Sequence, residues 1–231
     1  EPFTWFSNTQ SIKNNNNMKK SISYIIAIAV FNIFLLSCSK STTTIVAPLS
    51  ATMVKDLPAD TIIGITAQGQ PYGAGKYTFY SLEKNSIIAN TDSATTKWDL
   101  AFNGTKILTN SGTSGTGLGG AFVQVGLFDN LKTISTDSVF KTDNAPTSYA
   151  VTYGSGKGWY TYDPINNLIT PLAGRVLVIR TASGKYAKVE IISYYKGGAT
   201  LATTATDAEK LSKQRYYTFR YIFQPNGTKP F

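Results

Sequence analysis

From about residue 60 onward the chain alternates between apolar and polar positions. Lys76-Tyr77-Thr78-Phe79-Tyr80 places Tyr77 and Phe79 on one face. The run 186–192 directs Ala187, Val189 and Ile191 inward and Lys188 and Glu190 outward. Near the C-terminus, Tyr217, Phe219, Tyr221 and Phe223 alternate with Thr218, Arg220 and Ile222. Period two marks a strand, because successive side chains leave a pleated strand on opposite sides. Arg-Val-Leu-Val-Ile-Arg at 175–180 is apolar between its end charges, which predicts a more deeply buried strand. Ala182-Ser183-Gly184-Lys185 then reads as a hairpin connection, with Gly184 supplying the positive φ of such turns. Weaker strands are predicted at 61–67, 97–102, 121–127 and 159–162, and only 206–214 reads as helix. The pattern predicts an all-β fold: a single antiparallel β-rich domain without internal repeats.

The N-terminal stretch has a different grammar. Met18-Lys19-Lys20 is basic, Ile22 to Leu36 is apolar except for Ser23 and Asn32, and Leu35-Leu36-Ser37-Cys38 follows. That order is a signal peptide, and its apolar run falls short of the ~20 residues a spanning helix needs. Leu-Leu-Ser-Cys resembles the bacterial lipobox, which implies that Cys38 is diacylated and becomes the first mature residue. Residues 1–17, with Lys13 to Asn17 reading Lys-Asn-Asn-Asn-Asn, look like a translated upstream leader. The expected organisation is therefore leader 1–17, signal peptide 18–37, lipidated Cys38 and tether 38–58, and β domain 59–231. The domain start itself falls between Ala47 and Asp60. The polar run Ser39 to Thr44 suits a tether between lipid and domain.

Composition removes most chemistry. The chain has 22 Lys+Arg against 13 Asp+Glu, a net charge of +9, but the basic residues are scattered, which argues against nucleic acid as a partner. With no histidine and a single cysteine, histidine-based triads, Cys-His pairs, His/Cys zinc sites and intramolecular disulfides are all impossible. A carboxylate pair, Asp99 beside Trp98 and Asp163 beside Tyr162, is the remaining hydrolase alternative. The reading is that the protein is not an enzyme. Gly115-Thr-Gly-Leu-Gly-Gly120 matches a dinucleotide-binding fingerprint by letters, but lacks the preceding strand and following helix, and reads as a flexible surface loop. More informative is Tyr153-Gly-Ser-Gly-Lys-Gly-Trp159-Tyr160, with Tyr149 and Tyr162 nearby. Aromatics among glycines suit a cleft for a flat apolar ligand; the alternative is that they are core residues whose hydroxyls reach the surface.

Several segments together resemble the HmuY family of Bacteroidetes lipoproteins: Trp98-Asp-Leu-Ala-Phe102 with Asn103-Gly104, Gly158-Trp-Tyr-Thr-Tyr-Asp163, Pro171-Leu-Ala-Gly-Arg175, Val178-Ile-Arg-Thr181, Gly184 to Ile191, and Tyr217 to Gly227. The resemblance implies a hand-like all-β fold, haem capture for iron acquisition, and a TonB-dependent receptor as partner. It also implies an outer-membrane lipoprotein, on the cell-surface or periplasmic face. Haem is the expected cofactor and the metal-ligating residues stay unassigned. Bis-histidine ligation is impossible here, a family histidine position falls near Asn166-Asn167, and Met53 is the only methionine after Cys38. Tyr153, Tyr160 and Tyr162 are the candidates for a tyrosinate that could bind ferric haem instead. The expected ligand-binding set is Tyr153, Trp159, Tyr160, Tyr162 and Asn167. Asp60-Thr-Ile, Asp92-Ser-Ala and Asp137-Ser-Val resemble O-glycosylation sequons of that phylum.

Overall fold

Every named strand pairs antiparallel in the computed structural model, which describes residues 48–231. The leader, the signal peptide, Cys38 and the first part of the tether lie outside the described residues. The larger sheet has five strands. Its centre is β11 (Arg175–Arg180), β12 (Tyr186–Tyr195) and β13 (Gln214–Gln224), flanked by β8 (Gly120–Val125) on one edge and β1 (Thr52–Pro58) on the other. The smaller sheet has four strands in the order β5 (Ser86–Ile88), β4 (Thr78–Ser81), β6 (Leu100–Asn103), β7 (Lys106–Thr109). Two hairpins stand apart from both: β2 (Gly64–Ile65) with β3 (Pro71–Tyr72), and β9 (Tyr160–Asp163) with β10 (Leu168–Pro171). The α-helix among the described residues, α1 (Asp207–Lys213), is short and starts where Thr206 Oγ1 accepts the Glu209 N–H at 3.2 Å, an N-cap that satisfies an otherwise orphaned donor.

The main core joins the two sheets. Phe102 of β6 stacks on Phe219 of β13 at 5.7 Å and lies 4.9 Å from Tyr217, while Leu177, Ile179, Val189 and Ile191 fill the space between. Each such side chain contributes roughly 1.5–3 kcal/mol by leaving water. The opposite face of the large sheet is covered too: Val176 and Val178 pack on Phe128 and Ile134, so β11 is buried on both sides as its apolar run predicts. This second layer overturns the outward placement of Lys188. Its side chain is buried, and its ammonium donates to the carbonyls of Phe128 (2.9 Å) and Leu131 (2.7 Å) while lying over the rings of Phe128 and Phe231. Burial lowers its pKa below the ordinary lysine value, with the charge of Lys132 adding to the effect.

Two further expectations change. The tether does not extend to residue 58, because Thr52–Pro58 is an edge strand paired with β13 from Thr52↔Tyr221 to Pro58↔Tyr216. Its alternation is hidden by a register shift between Val54 and Leu57, where Asp56 adopts φ 52°. The glycine segment 115–120 is not a loose loop either. Gly117 donates its N–H to Oδ1 of buried Asn110, whose amide donates to the carbonyls of Thr95 and Trp98. A Cβ on Gly117 would strike Ala182, and one on Gly119 would strike the Asn110 backbone. Glycine is needed there for close approach, not for mobility.

Candidate functional site

The described residues form a cleft of about 730 Å³ where several hairpin ends meet α1. The β2–β3 hairpin supplies Ile65 and Pro71, the β6–β7 turn supplies Asn103 to Lys106, and the β9–β10 hairpin supplies Tyr162, Asn167 and Ile169. Asp207, Lys210 and Leu211 come from α1, Gln214 and Arg215 from the start of β13, and Tyr194 from β12. Below the β6–β7 turn, fully buried Tyr217 donates its hydroxyl to the Gly104 carbonyl at 2.9 Å. Burial pushes the phenol pKa values of Tyr194 and Tyr217 well up, so both stay protonated.

The cations of the cleft are held in different ways. Arg215, at φ 67°, donates to the carbonyls of Asp60 (2.9 Å) and Pro71 (3.2 Å), clamping the β2–β3 hairpin to β13. Lys106 has no carboxylate partner among the described residues; its ammonium lies 4.9 Å from the Tyr149 ring and 5.7 Å from the Tyr153 ring. Desolvation works to lower its pKa, but hydrogen bonding to Tyr149 and attraction to Tyr77, Tyr149 and Tyr153 outweigh that and raise it, so the site stays cationic at neutral pH. Lys210 is mostly buried and, among the described residues, pairs with Asp207 at 3.5 Å.

Of the expected ligand residues, the structure brings Tyr153, Tyr162 and Asn167 together in the cleft, with the two tyrosines 50% and 42% exposed. The Tyr162 hydroxyl donates to Asn167 Oδ1 at 2.8 Å, and Asn167 sits at φ 53° in the hairpin turn. Trp159 and Tyr160 do not line it. They are 2% and 5% exposed, packed on each other at 4.8 Å, and Trp159 Nε1 donates to the Thr105 carbonyl at 3.1 Å. The reason is depth: the hairpin leaves the core at Trp159 and rises, so only its upper residues face the cleft. Met53 lies elsewhere, beside Ile192 and Thr218 in a separate hollow of about 270 Å³.

The carboxylate pair of the hydrolase alternative serves local structure instead. Asp99 accepts the N–H groups of Leu82 (2.8 Å) and Ala182 (3.0 Å), and Asp163 caps its own turn through Ile165 and Asn166. Neither lines the cleft. Lys106, Lys210 and Arg215 are functional candidates that the sequence did not single out; each is an isolated cation in a different element, and only Thr206-x-x-Glu209 hinted that Lys210 lies on a helix.

The described residues thus form an antiparallel β domain whose hairpins and helix border an open, cation-bearing cleft. The HmuY protein family model matches residues 74–207, more than half of the chain, and the chain belongs to the HmuY family. The match includes Lys106, Tyr153, Tyr162 and Asn167 but ends before Lys210 and Arg215. No curated protein sequence matches the chain. Among solved structures, a candidate lipoprotein of Bacteroides fragilis is 17% identical, with a TM-score of 0.42 over 63% of this chain and 83% of its own. A candidate HmuY-like haem-binding protein of Bacteroides vulgatus is 16% identical, with a TM-score of 0.42 over 63% and 84%. The apo HmuY analogue of Tannerella forsythia is 14% identical, with a TM-score of 0.42 over 77% and 96%.

Proposed function

We propose that this chain is a non-enzymatic outer-membrane lipoprotein, anchored through Cys38, that captures haem or a related tetrapyrrole for iron acquisition and works beside a TonB-dependent receptor. Family membership supports the ligand class. The observation that carries the reading is the cleft itself. Its volume suits a small-molecule ligand, two half-exposed tyrosine rings offer flat faces, and apolar Ile65, Ile169 and Leu211 line it beside cations. The lipobox-like Leu35-Leu-Ser-Cys38 supports the anchor, and the polar Ser39-Lys40-Ser41 that follows leaves the cell-surface and periplasmic faces equally open.

A soluble form beginning at Ser39 is titrated with haemin and followed in the Soret region under oxidising and reducing conditions. A saturable, sharpened band at one equivalent is expected. A spectrum matching haemin mixed with an inert carrier protein would end this reading. A second reading, an HmuY-fold module that has lost haem and engages another ligand or a surface transport complex, is favoured by one observation: among the described residues no histidine, methionine or cysteine lines the cleft. It predicts that inert spectrum.

A further inference from the structure

We infer that the cleft recognises a planar tetrapyrrole by its carboxylates and its aromatic plane, and not by its metal, with Lys106 and Lys210 as the carboxylate anchors. This rests on the tetrapyrrole reading above and goes beyond it: a metal-free porphyrin dicarboxylic acid should bind about as well as haemin.

The residues present do not fit an iron atom. Among the described residues no histidine, methionine or cysteine lines the cleft, which leaves its tyrosines as the side chains to consider for iron. The Tyr162 hydroxyl is engaged in donating to Asn167 Oδ1, and Tyr194 is buried and kept protonated by that burial. Tyr153 remains; its ring packs edge-on to Tyr149 with the Lys106 ammonium 5.7 Å away, and among the described residues no carboxylate is hydrogen-bonded to its hydroxyl.

The same residues do fit a dianion. Lys106, Lys210 and Arg215 face a single carboxylate in the lining, Asp207. Arg215 is spent on two backbone carbonyls, which leaves the two lysines. Among the described residues Lys106 has tyrosines and no carboxylate beside its charge, and an ammonium with three donors can still take up an incoming carboxylate. Lys210 is largely shielded, while Asp207, which pairs with it at 3.5 Å, is 81% exposed in its side chain. Such a half-solvated pair is weak and readily displaced by an incoming carboxylate. The two lysines stand on separate elements, the β6–β7 turn and α1, so one rigid ligand with two carboxylates would bridge them. Tyr153 and Tyr162, which line the same cleft, supply ring faces for the macrocycle.

The test compares haemin, metal-free protoporphyrin IX and protoporphyrin IX dimethyl ester by quenching of protein fluorescence, using wild type, Lys106→Met, Lys210→Met and the charge-conserving Lys106→Arg. Haemin and the metal-free acid should bind within about threefold of each other, with the ester weaker by roughly tenfold or more, the size expected for a lost charged contact. Each Lys→Met change should weaken both acids by about tenfold and leave the ester unchanged, and Lys106→Arg should restore acid binding. Tight haemin binding with metal-free acid weaker by roughly a hundredfold would overturn the inference while leaving the proposed function standing. An ester that binds like the acid would overturn the carboxylate anchors. Failure of all three probes on a protein with unchanged circular dichroism would instead remove the tetrapyrrole reading of the cleft.

Discussion

Asp143 fixes the wall that carries Tyr149 and Tyr153, so its removal should loosen that wall by a calculable amount. The buried carboxylate accepts the Ala150 N–H at 2.7 Å through one oxygen and the Thr109 N–H at 2.9 Å through the other. Its own N–H donates to Ser111 Oγ, and its carbonyl accepts from Thr113. The carboxylate thus ties the loop preceding Tyr149 to β7. Asp143→Asn keeps one acceptor and turns an NH₂ toward a buried N–H; the lost charge-assisted bond costs about 1.5–3 kcal/mol. Asp143→Ala leaves two buried donors unpaired, about 2–6 kcal/mol at ~1–3 each. With a urea slope of about 2 kcal/mol/M, a loss of ~2 kcal/mol lowers the midpoint by about 1 M. The melting temperature should fall by about 4–8 °C, since domains of this size lose ~2–4 °C per kcal/mol. Equilibrium urea unfolding followed by tyrosine near-ultraviolet dichroism reads both. An Asn variant within about 0.3 M of wild type, or an Ala variant no worse than Asn, would refute the reasoning, because two buried donors cannot be lost without cost.

Trp159→Phe should lower stability by about 1–2 kcal/mol through the lost bond to Thr105 and the smaller ring, yet leave porphyrin affinity within about twofold; weakened binding at unchanged stability would return Trp159 to the cleft. Burial raises the pKa of Asp99 above the ordinary value of 3.8, against the opposing hydrogen bonds from Ala182 and Leu82. The folded state therefore holds this proton more tightly than the unfolded chain, and this group's contribution grows as pH falls through the folded pKa and is lost as pH rises from about 3.8 past it. The stability gap between wild type and Asp99→Asn should widen from pH 7 to pH 4.5; a gap that narrows in urea midpoints would show that the hydrogen bonds outweigh the burial.

The strands with unbroken alternation or a continuous apolar run, β11, β12 and β13, were legible because burial there repeats residue by residue. β1 was not: its bulge at Asp56 and its terminal Pro58 break the alternation that would have announced it. Predicted strand 61–67 shrinks to Gly64–Ile65, since Asp60 at φ 58° and the turn closed by Thr66 and Gly69 limit the hairpin. In the site, aromatics crowded among glycines led to Tyr153 and Tyr162, but residue type could not separate them from Trp159 and Tyr160, whose difference is depth along one hairpin. Lys106, Lys210 and Arg215 escaped notice because their proximity is created by three-dimensional convergence of distant segments.

Lys188 gives the large sheet a memory of its own alignment. On β12 it stands between Ala187 and Val189, which face the aromatic layer shared by the two sheets. Sliding β12 by one residue would exchange the faces and thrust the ammonium into the apolar layer of Phe102, Phe219 and Leu177, at the cost of burying a charge there. In the true alignment it meets the Phe128 and Leu131 carbonyls at once. A single misplaced-looking charge therefore acts as a key that turns in one position, and the strands that carry the cleft are delivered to the same place each time the chain folds.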